Sequence, residues 1–220
     1  MISDVLPAEV VGADVLGEDH DARLFPEEEP EVAKAVEKRI REYTIARSCA
    51  RRALAKLGIP PGPILRGDKR QPIWPEGIVG SITHTRGYYA AAVASARDVL
   101  TVGIDAEVHD QLPDGVLDVV TVERERDWLG AVGVHHGGVW WDRLLFSAKE
   151  SVYKAWFPLT GQWLGFTDAL LTFDECARSF HADLLVDPPT VEGKPLTGFD
   201  GRFLVRDGFV LTAIAVPRQR

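Results

Sequence analysis

Between residues 31 and 57 the apolar side chains Val36, Ile40, Tyr43, Ala50, Leu54 and Leu57 recur at helical spacings, and Gly58 with Pro60 supplies a stop. That period predicts one long amphipathic helix, which must lie on a core supplied by the rest of the chain. Arg47 occupies a stripe position between Tyr43 and Ala50. A cation there has to snorkel, pair with a neighbouring carboxylate or meet a bound anion.

The remainder mixes strand-like runs with a second helix. A Pro- and Gly-rich loop over residues 58–75 precedes strand-like runs at 78–82 and 88–94, read as a hairpin, and a further run at 100–104. Residues 105–139 read as a mostly irregular acidic connection, long enough to suggest a mobile or partner-facing element. A helix is expected over 142–157, ended by Pro158, with apolar residues on two faces and Glu150 inside the second stripe between Phe146 and Tyr153. Strands follow at 170–173, 180–186, 202–206 and 209–216, the last two joined by an Asp207-Gly208 turn.

Charge narrows the partners. The 220 residues carry a formal net charge of −8, which argues against a general binder of nucleic-acid backbones. The charge is segregated: residues 1–33 hold ten acidic side chains against Arg23 alone, whereas residues 34–70 hold eleven basic against three acidic. An anion site is expected to draw on the second segment. Two cysteines are too few for a disulfide framework, and the first residues lack a basic start and apolar core. A cytoplasmic setting, without membrane insertion, is the expectation.

Three short motifs carry chemistry. In Gly103-Ile104-Asp105-Ala106-Glu107 the two carboxylates stand two residues apart, so in an extended chain they point to one side, a spacing that suits a divalent cation with hard oxygen ligands. In Phe146-Ser147-Ala148-Lys149-Glu150-Ser151 with Lys154, Glu150 and Lys154 share a helical face; an exposed helix would make this an ordinary ion pair, but the aromatic setting of Glu150 favours a buried partner. Gly80-Ser81-Ile82-Thr83-His84 places hydroxyls and an imidazole at a strand end where a phosphate could approach. The other five histidines have no comparable context.

The ordered set of these motifs, with Lys38-Arg39, Glu42, Arg47, Arg66-Gly67-Asp68-Lys69-Arg70, Trp141-Asp142-Arg143 and Lys154-Ala155-Trp156-Phe157-Pro158, resembles the 4′-phosphopantetheinyl transferases of the larger, surfactin-synthetase-activating type, above all their actinobacterial members. The resemblance covers most of residues 30–170. It implies an enzyme that moves the phosphopantetheine arm of coenzyme A onto a serine of an apo acyl or peptidyl carrier protein, releasing adenosine 3′,5′-bisphosphate. By that resemblance Asp105, Glu107 and Glu150 bind Mg²⁺, and Ala106, where some members carry a longer side chain, leaves a coordination position to its carbonyl or to water. Thr83 and His84 would meet the phosphates. Arg39, Arg47 and the loop Arg66, Gly67, Asp68 and Lys69 would hold the adenosine 3′-phosphate region. Lys149 and Lys154 would lie near the pyrophosphate and the arm, Trp163 and Leu164 would line the pantetheine channel, and Glu150, directly or through a metal-bound water, would be the general base, with Lys154 the other catalytic residue.

The implied fold is α+β: two similar α/β halves related by a pseudo-twofold, residues 1–104 and 105–220, with the site in the cleft between them. One chain would then supply a whole site, so a monomer is expected. Another Mg²⁺-dependent nucleotide pyrophosphohydrolase and a non-catalytic coenzyme A-binding module are the competing readings; a Walker-type glycine loop is absent from the sequence.

Overall fold

The structure is a computed structural model and describes residues 1–218. Its strands and helices run β1 (Val10–Leu16), α1 (Glu37–Lys56), β2 (Ile78–Thr85), β3 (Tyr88–Ser95), β4 (Val99–Val108), α2 (Val116–Val120), α3 (Glu123–Val132), the two-residue pair β5 (His135–His136) and β6 (Val139–Trp140), α4 (Trp141–Thr160), β7 (Ala169–Asp174), β8 (Ser179–Leu184), β9 (Thr190–Val191), β10 (Lys194–Pro195), β11 (Gly198–Arg206) and β12 (Phe209–Pro217). The fold is α+β. One antiparallel sheet has the order β1-β3-β2 and a second the order β4-β12-β11-β8-β7.

Each sheet carries one long helix. Strand β3 is buried on both faces because its small and aromatic residues divide between two cores. Tyr89, Ala91 and Val93 meet Ile45, Cys49, Ala53 and Leu54 of α1. Tyr88, Ala90, Ala92 and Ala94 join Val102, Ile104 and Ala106 of β4 and Leu211 and Ala213 of β12 in a core shared by the two sheets, into which Ile2 and Val5 also insert. A third core packs α4, through Leu144, Leu145, Ala148, Val152 and Ala155, against Val210 and Ile214 of β12 and the outer strands. Alternation along β4 therefore sends its even-numbered residues to the shared core and Thr101, Gly103 and Asp105 toward α4.

Helix α4 comes unusually near β4. A Cβ on Gly103 would stand 2.2 Å from the Ser151 carbonyl oxygen and 2.7 Å from the Ala155 nitrogen, and Thr101 Oγ1 donates to the Ala155 carbonyl at 2.9 Å. Glycine here is required by close approach.

The two sheets are stitched differently from strands within a sheet. Ser81 Oγ of β2 accepts from the Ile104 N–H at 3.1 Å, and Thr83 Oγ1 accepts from the Ala106 N–H at 3.1 Å. Side-chain hydroxyls spaced by two thus satisfy the free edge of β4 where a ladder would otherwise be needed.

Several expectations change. Helix α1 starts at Glu37 because Glu31 folds back: its Oε2 accepts from the Tyr43 hydroxyl at 2.7 Å, whereas twelve residues of continuous helix would separate the two by about 18 Å. Pro158 does not end α4. It lies in the last turn, where a single N–H is forgone, and the helix closes at Gly161, whose φ of 66° forms a left-handed cap with its N–H on the Phe157 carbonyl. The supposedly irregular connection contains α2 and α3, and the acidic head contributes β1. The division at 104/105 falls inside β4, which belongs as a whole to the second sheet. The Asp207-Gly208 turn is as expected, with φ of 51° and 78°.

The charge segregation has an internal resolution. Arg41 pairs with Glu18 at 3.1 Å, Arg52 with Asp19 at 2.6 Å, Arg51 with the fully buried Glu28 at 2.8 Å and Arg66 with Glu31 at 3.2 Å. The acidic head wraps the basic segment, so much of that segment's charge is matched within the chain.

Candidate active site

Asp105 and Glu107 stand within β4, not at its end, and both face α4. The Asp105 carboxylate is held from three directions: Oδ1 accepts from Thr83 Oγ1 at 3.1 Å and from Lys154 Nζ at 2.7 Å, and Oδ2 from Ser147 Oγ at 2.9 Å. Lys154 also donates to the Ile104 carbonyl at 3.1 Å. Glu107 takes Arg143 Nη1 at 3.2 Å, while the same guanidinium ties the carbonyls of Asp110 and Gln111. Burial, reinforced by Asp105, pushes the Glu107 carboxyl up to about 7 against the pull of Arg143 and Lys154.

Glu150 differs from both. Among the described residues its carboxylate has no hydrogen-bond partner; burial raises its pKa, Lys154 opposes this and Asp105 adds to it. It lines two cavities. One, of about 640 Å³, is bounded by Lys69, Arg70 and Trp74 of the 58–77 loop, by β2, and by Lys154 and Phe157 of α4. The other, of about 250 Å³, is bounded by Tyr153, Trp163, Leu164 and Phe166. Trp163 is 77% exposed, its ring 5.1 Å from that of Tyr153, whereas Leu164 is buried.

Carboxylates, backbone carbonyls and hydroxyls are the hard oxygen donors that suit Mg²⁺. Among the described residues no three His, Cys, Asp or Glu side chains form a closed metal cluster, because Lys154 and Arg143 occupy Asp105 and Glu107. Mg²⁺ commonly needs only one or two carboxylates, with water and substrate phosphate as its other ligands. Two part-buried carboxyls with raised pKa beside Asp105 form a group short of positive charge, which such an ion would supply. Ala106 buries its side chain in the shared core and offers no side-chain ligand.

The anion-binding residues show the same mixture of readiness and internal use. Arg47 is buried; its Nε donates to the Ile64 carbonyl at 2.8 Å and its guanidinium lies 4.4 Å from the Tyr43 ring centroid, the same distance as that of Arg66. Burial lowers the Arg47 pKa, with Tyr43 opposing. Among the described residues, the one buried side-chain nitrogen or oxygen without a partner is Arg66 Nη2, a donor waiting for an acceptor. Gly67 begins a turn in which its N–H donates to the Gln71 carbonyl at 2.8 Å; Asp68 and Lys69 are exposed on it. Arg39 Nη1 lies 2.6 Å from His84 Nε2. The arginine donates, so His84 accepts at Nε2 and carries its proton on Nδ1; burial first, then Arg39, keeps its pKa low.

Two expected phosphate contacts are placed otherwise. Thr83 spends its hydroxyl on Asp105 and the Ala106 amide. Lys149 is buried, with Nζ on Glu125 at 2.7 Å, the Phe166 carbonyl at 2.7 Å and the Ala169 carbonyl at 2.9 Å; all three ammonium protons are used, and none is on Asp105, Glu107 or Glu150. Burial lowers its pKa and Glu125 opposes this. Sequence reasoning missed Glu125, Arg143 and Thr212. The Trp141-Asp142-Arg143 run was the available signal for Arg143, but nothing local marks Glu125 or Thr212.

A carboxylate group at the seam of two sheets opens on a cleft that is also lined by Lys69, Arg70 and Lys154, an arrangement chemically suited to an anionic ligand. The comparisons with known proteins give this arrangement its family. Residues 27–94 match the 4′-phosphopantetheinyl transferase N-terminal domain, and residues 101–190 match the 4′-phosphopantetheinyl transferase superfamily. The chain is 50% identical to the 4′-phosphopantetheinyl transferase Svp of Streptomyces mobaraensis, over 98% of its own length and 89% of Svp. It is 50% identical to Npt of Nocardia iowensis, over 98% and 99% of the two chains, and 46% identical to PptT of Mycobacterium tuberculosis, over 98% of each. The chain belongs to the 4′-phosphopantetheinyl transferase family, and it is an enzyme of that activity.

Proposed function

We propose that the enzyme takes the 4′-phosphopantetheine arm from coenzyme A in a Mg²⁺-dependent reaction, attaches it to a serine of apo acyl and peptidyl carrier proteins and releases adenosine 3′,5′-bisphosphate. The observation that carries this reading is the 640 Å³ cleft, lined both by Lys69 and Arg70 and by Glu150 and Lys154. A ligand filling it would reach from the basic loop to the carboxylates.

Arg66, through its unpartnered Nη2, with Arg47 and Lys69, would take the 3′-phosphate, and Arg39 with the Nδ1–H of His84 a phosphate oxygen. Lys154, already 2.7 Å from Asp105, would donate to the pyrophosphate. Mg²⁺ held by Asp105, Glu107 and Glu150, with the Ala106 carbonyl or water, would neutralise charge where the phosphoryl bond breaks. The carrier serine oxygen attacks the phosphorus bearing the pantetheine arm, the bond to the adenylate-side oxygen breaks, and Glu150 accepts the serine proton. Tyr153, Trp163 and Leu164, around the smaller cavity, would receive the arm. One chain supplies every residue named, which supports a monomer. Among the described residues no helix is long and apolar enough to cross a membrane.

Incubation with coenzyme A, Mg²⁺ and an apo carrier protein, followed by intact mass measurement, is expected to show one phosphopantetheine added, and none after chelation. Cleaved coenzyme A with an unmodified carrier would instead indicate a pyrophosphohydrolase, and binding without either reaction a non-catalytic module.

A further inference from the structure

Behind Asp105, on the side away from the cleft, lies a chain of three hydroxyls that the reaction as described does not use. Ser147, Ser151 and Thr212 are each fully buried. Ser147 Oγ is 2.9 Å from Asp105 Oδ2, Thr212 Oγ1 is 3.0 Å from Ser147 Oγ, and Ser151 Oγ is 2.7 Å from Thr212 Oγ1. Thr212 Oγ1 is also 3.0 Å from the Ser147 carbonyl.

Proton counting fixes the end of the chain that meets Asp105. A hydroxyl has one proton to donate, and a carboxylate only accepts. The Ser147 proton therefore goes to Asp105, leaving Ser147 to accept. Thr212 Oγ1, 3.0 Å from both the hydroxyl and the carbonyl of Ser147, has one proton to share among its neighbours, and Ser151 Oγ lies 2.7 Å from Thr212 Oγ1 and 3.3 Å from the Thr212 carbonyl. The three hydroxyls thus form one buried line of contacts that ends on Asp105 Oδ2. With Thr83 and Lys154 on Oδ1, both oxygens of the carboxylate are held.

We propose that Thr212 is a positioning residue of the transfer site, which fixes the Asp105 carboxylate plane through Ser147 and so presets the geometry in which the divalent cation is held. It stands on β12 directly across from Asp105 on β4, so the two side chains share a face of the sheet. It lies outside both segments matched to the family, residues 27–94 and 101–190. Valine would fill the same volume without the cost of burying a hydroxyl; what it would remove is the middle link of the proton chain. Outer partners of metal-binding carboxylates commonly govern affinity through such orientation.

The inference rests on Asp105 being a metal ligand, and the experiment separates the two. Mn²⁺ is titrated into the enzyme with coenzyme A and no carrier, free Mn²⁺ being read by electron paramagnetic resonance, and the Mg²⁺ dependence of transfer is measured alongside. Thr212→Val is expected to weaken Mn²⁺ binding roughly tenfold and to raise the half-saturating Mg²⁺ in parallel, with kcat recovering at high Mg²⁺. Thr212→Ser, which keeps the hydroxyl, is expected to restore both. If Thr212→Val does not fold, Ser151→Ala, which removes only the outermost link, is expected to weaken Mn²⁺ binding in the same direction by a smaller factor. Unshifted Mn²⁺ binding in folded Thr212→Val, or in Ser151→Ala where the first variant does not fold, would overturn the proposal while leaving the metal reading intact. Absence of Mn²⁺ binding by the wild-type enzyme would overturn both.

Discussion

At the residue scale, the informative contrast is between Asp105, whose carboxylate is partnered, and Glu150, whose carboxylate has no hydrogen-bond partner among the described residues. Asp105 is restrained by three donors, whereas Glu150 faces two cavities unbonded. Glu150→Gln is expected to lower carrier modification by about a hundredfold or more, the range of a lost proton acceptor; near-wild-type turnover in that variant, with Asp105→Ala inactive, would remove it as the base. His84 yields a pH prediction. Its folded pKa is lowered, by burial and then by Arg39 and Lys154, against Glu42 and Asp105. The unfolded chain therefore binds more protons near its ordinary pKa, and stability is complete above about 6.5 and lost as pH falls from there through the folded pKa. Denaturant midpoints at pH 7 and pH 5 are expected to differ more for the wild type than for His84→Gln. The motif residues Asp105, Glu107, Glu150 and Lys154 were legible in sequence because their spacing places them on common faces. The roles of Thr83 and Lys149 were not, since a side chain's direction across a seam depends on which strand lies opposite.

At the scale of elements, α4 is registered against its surroundings by two contacts of opposite kind. One is the approach to Gly103. Gly103→Ala would have to push back the backbone of Ser151 and Ala155, moving Glu150 and Lys154 relative to Asp105; a loss of about 1–3 kcal/mol in urea denaturation is expected, accompanied by a fall in transfer rate. The other is the Lys149–Glu125 pair, with exposures of 1% and 0%. Glu125 also accepts from the Val122 and Leu171 amides, so α3, α4 and β7 meet on one carboxylate. Lys149→Met would leave that charge buried and uncompensated, at a cost of about 3–5 kcal/mol. Lys149→Met/Glu125→Gln is expected to recover part of the loss, because the buried charge is gone, although the amide has one oxygen for two backbone groups that sit on different carboxylate oxygens; denaturation of the two variants checks this. Helices α1 and α4 could be read from period alone. Helix α3 could not, because what holds it is a buried acid that a charge-based reading assigns to solvent, and β1 was hidden in the same way by the acidity of the head.

At the scale of the whole molecule, the seam between the sheets depends on Ser81 and Thr83 in place of a backbone ladder. Ser81→Ala leaves the Ile104 N–H without its acceptor, and a loss of about 1–3 kcal/mol is expected, with faster hydrogen exchange at the Ile104 amide while the ladder amides of β12 stay protected. No pairing across this seam was visible in the sequence, since a hydroxyl acceptor leaves no pattern in strand propensity. Strand β12 has a consequence for how the enzyme comes into being. It lies between β4 and β11, follows β4 only after a long stretch of chain, and carries Thr212 opposite Asp105. While the chain is being synthesised, β4 must wait for it with an open edge for more than 90 residues. The sheet face that holds Asp105 is therefore complete only once this distant strand has paired with β4.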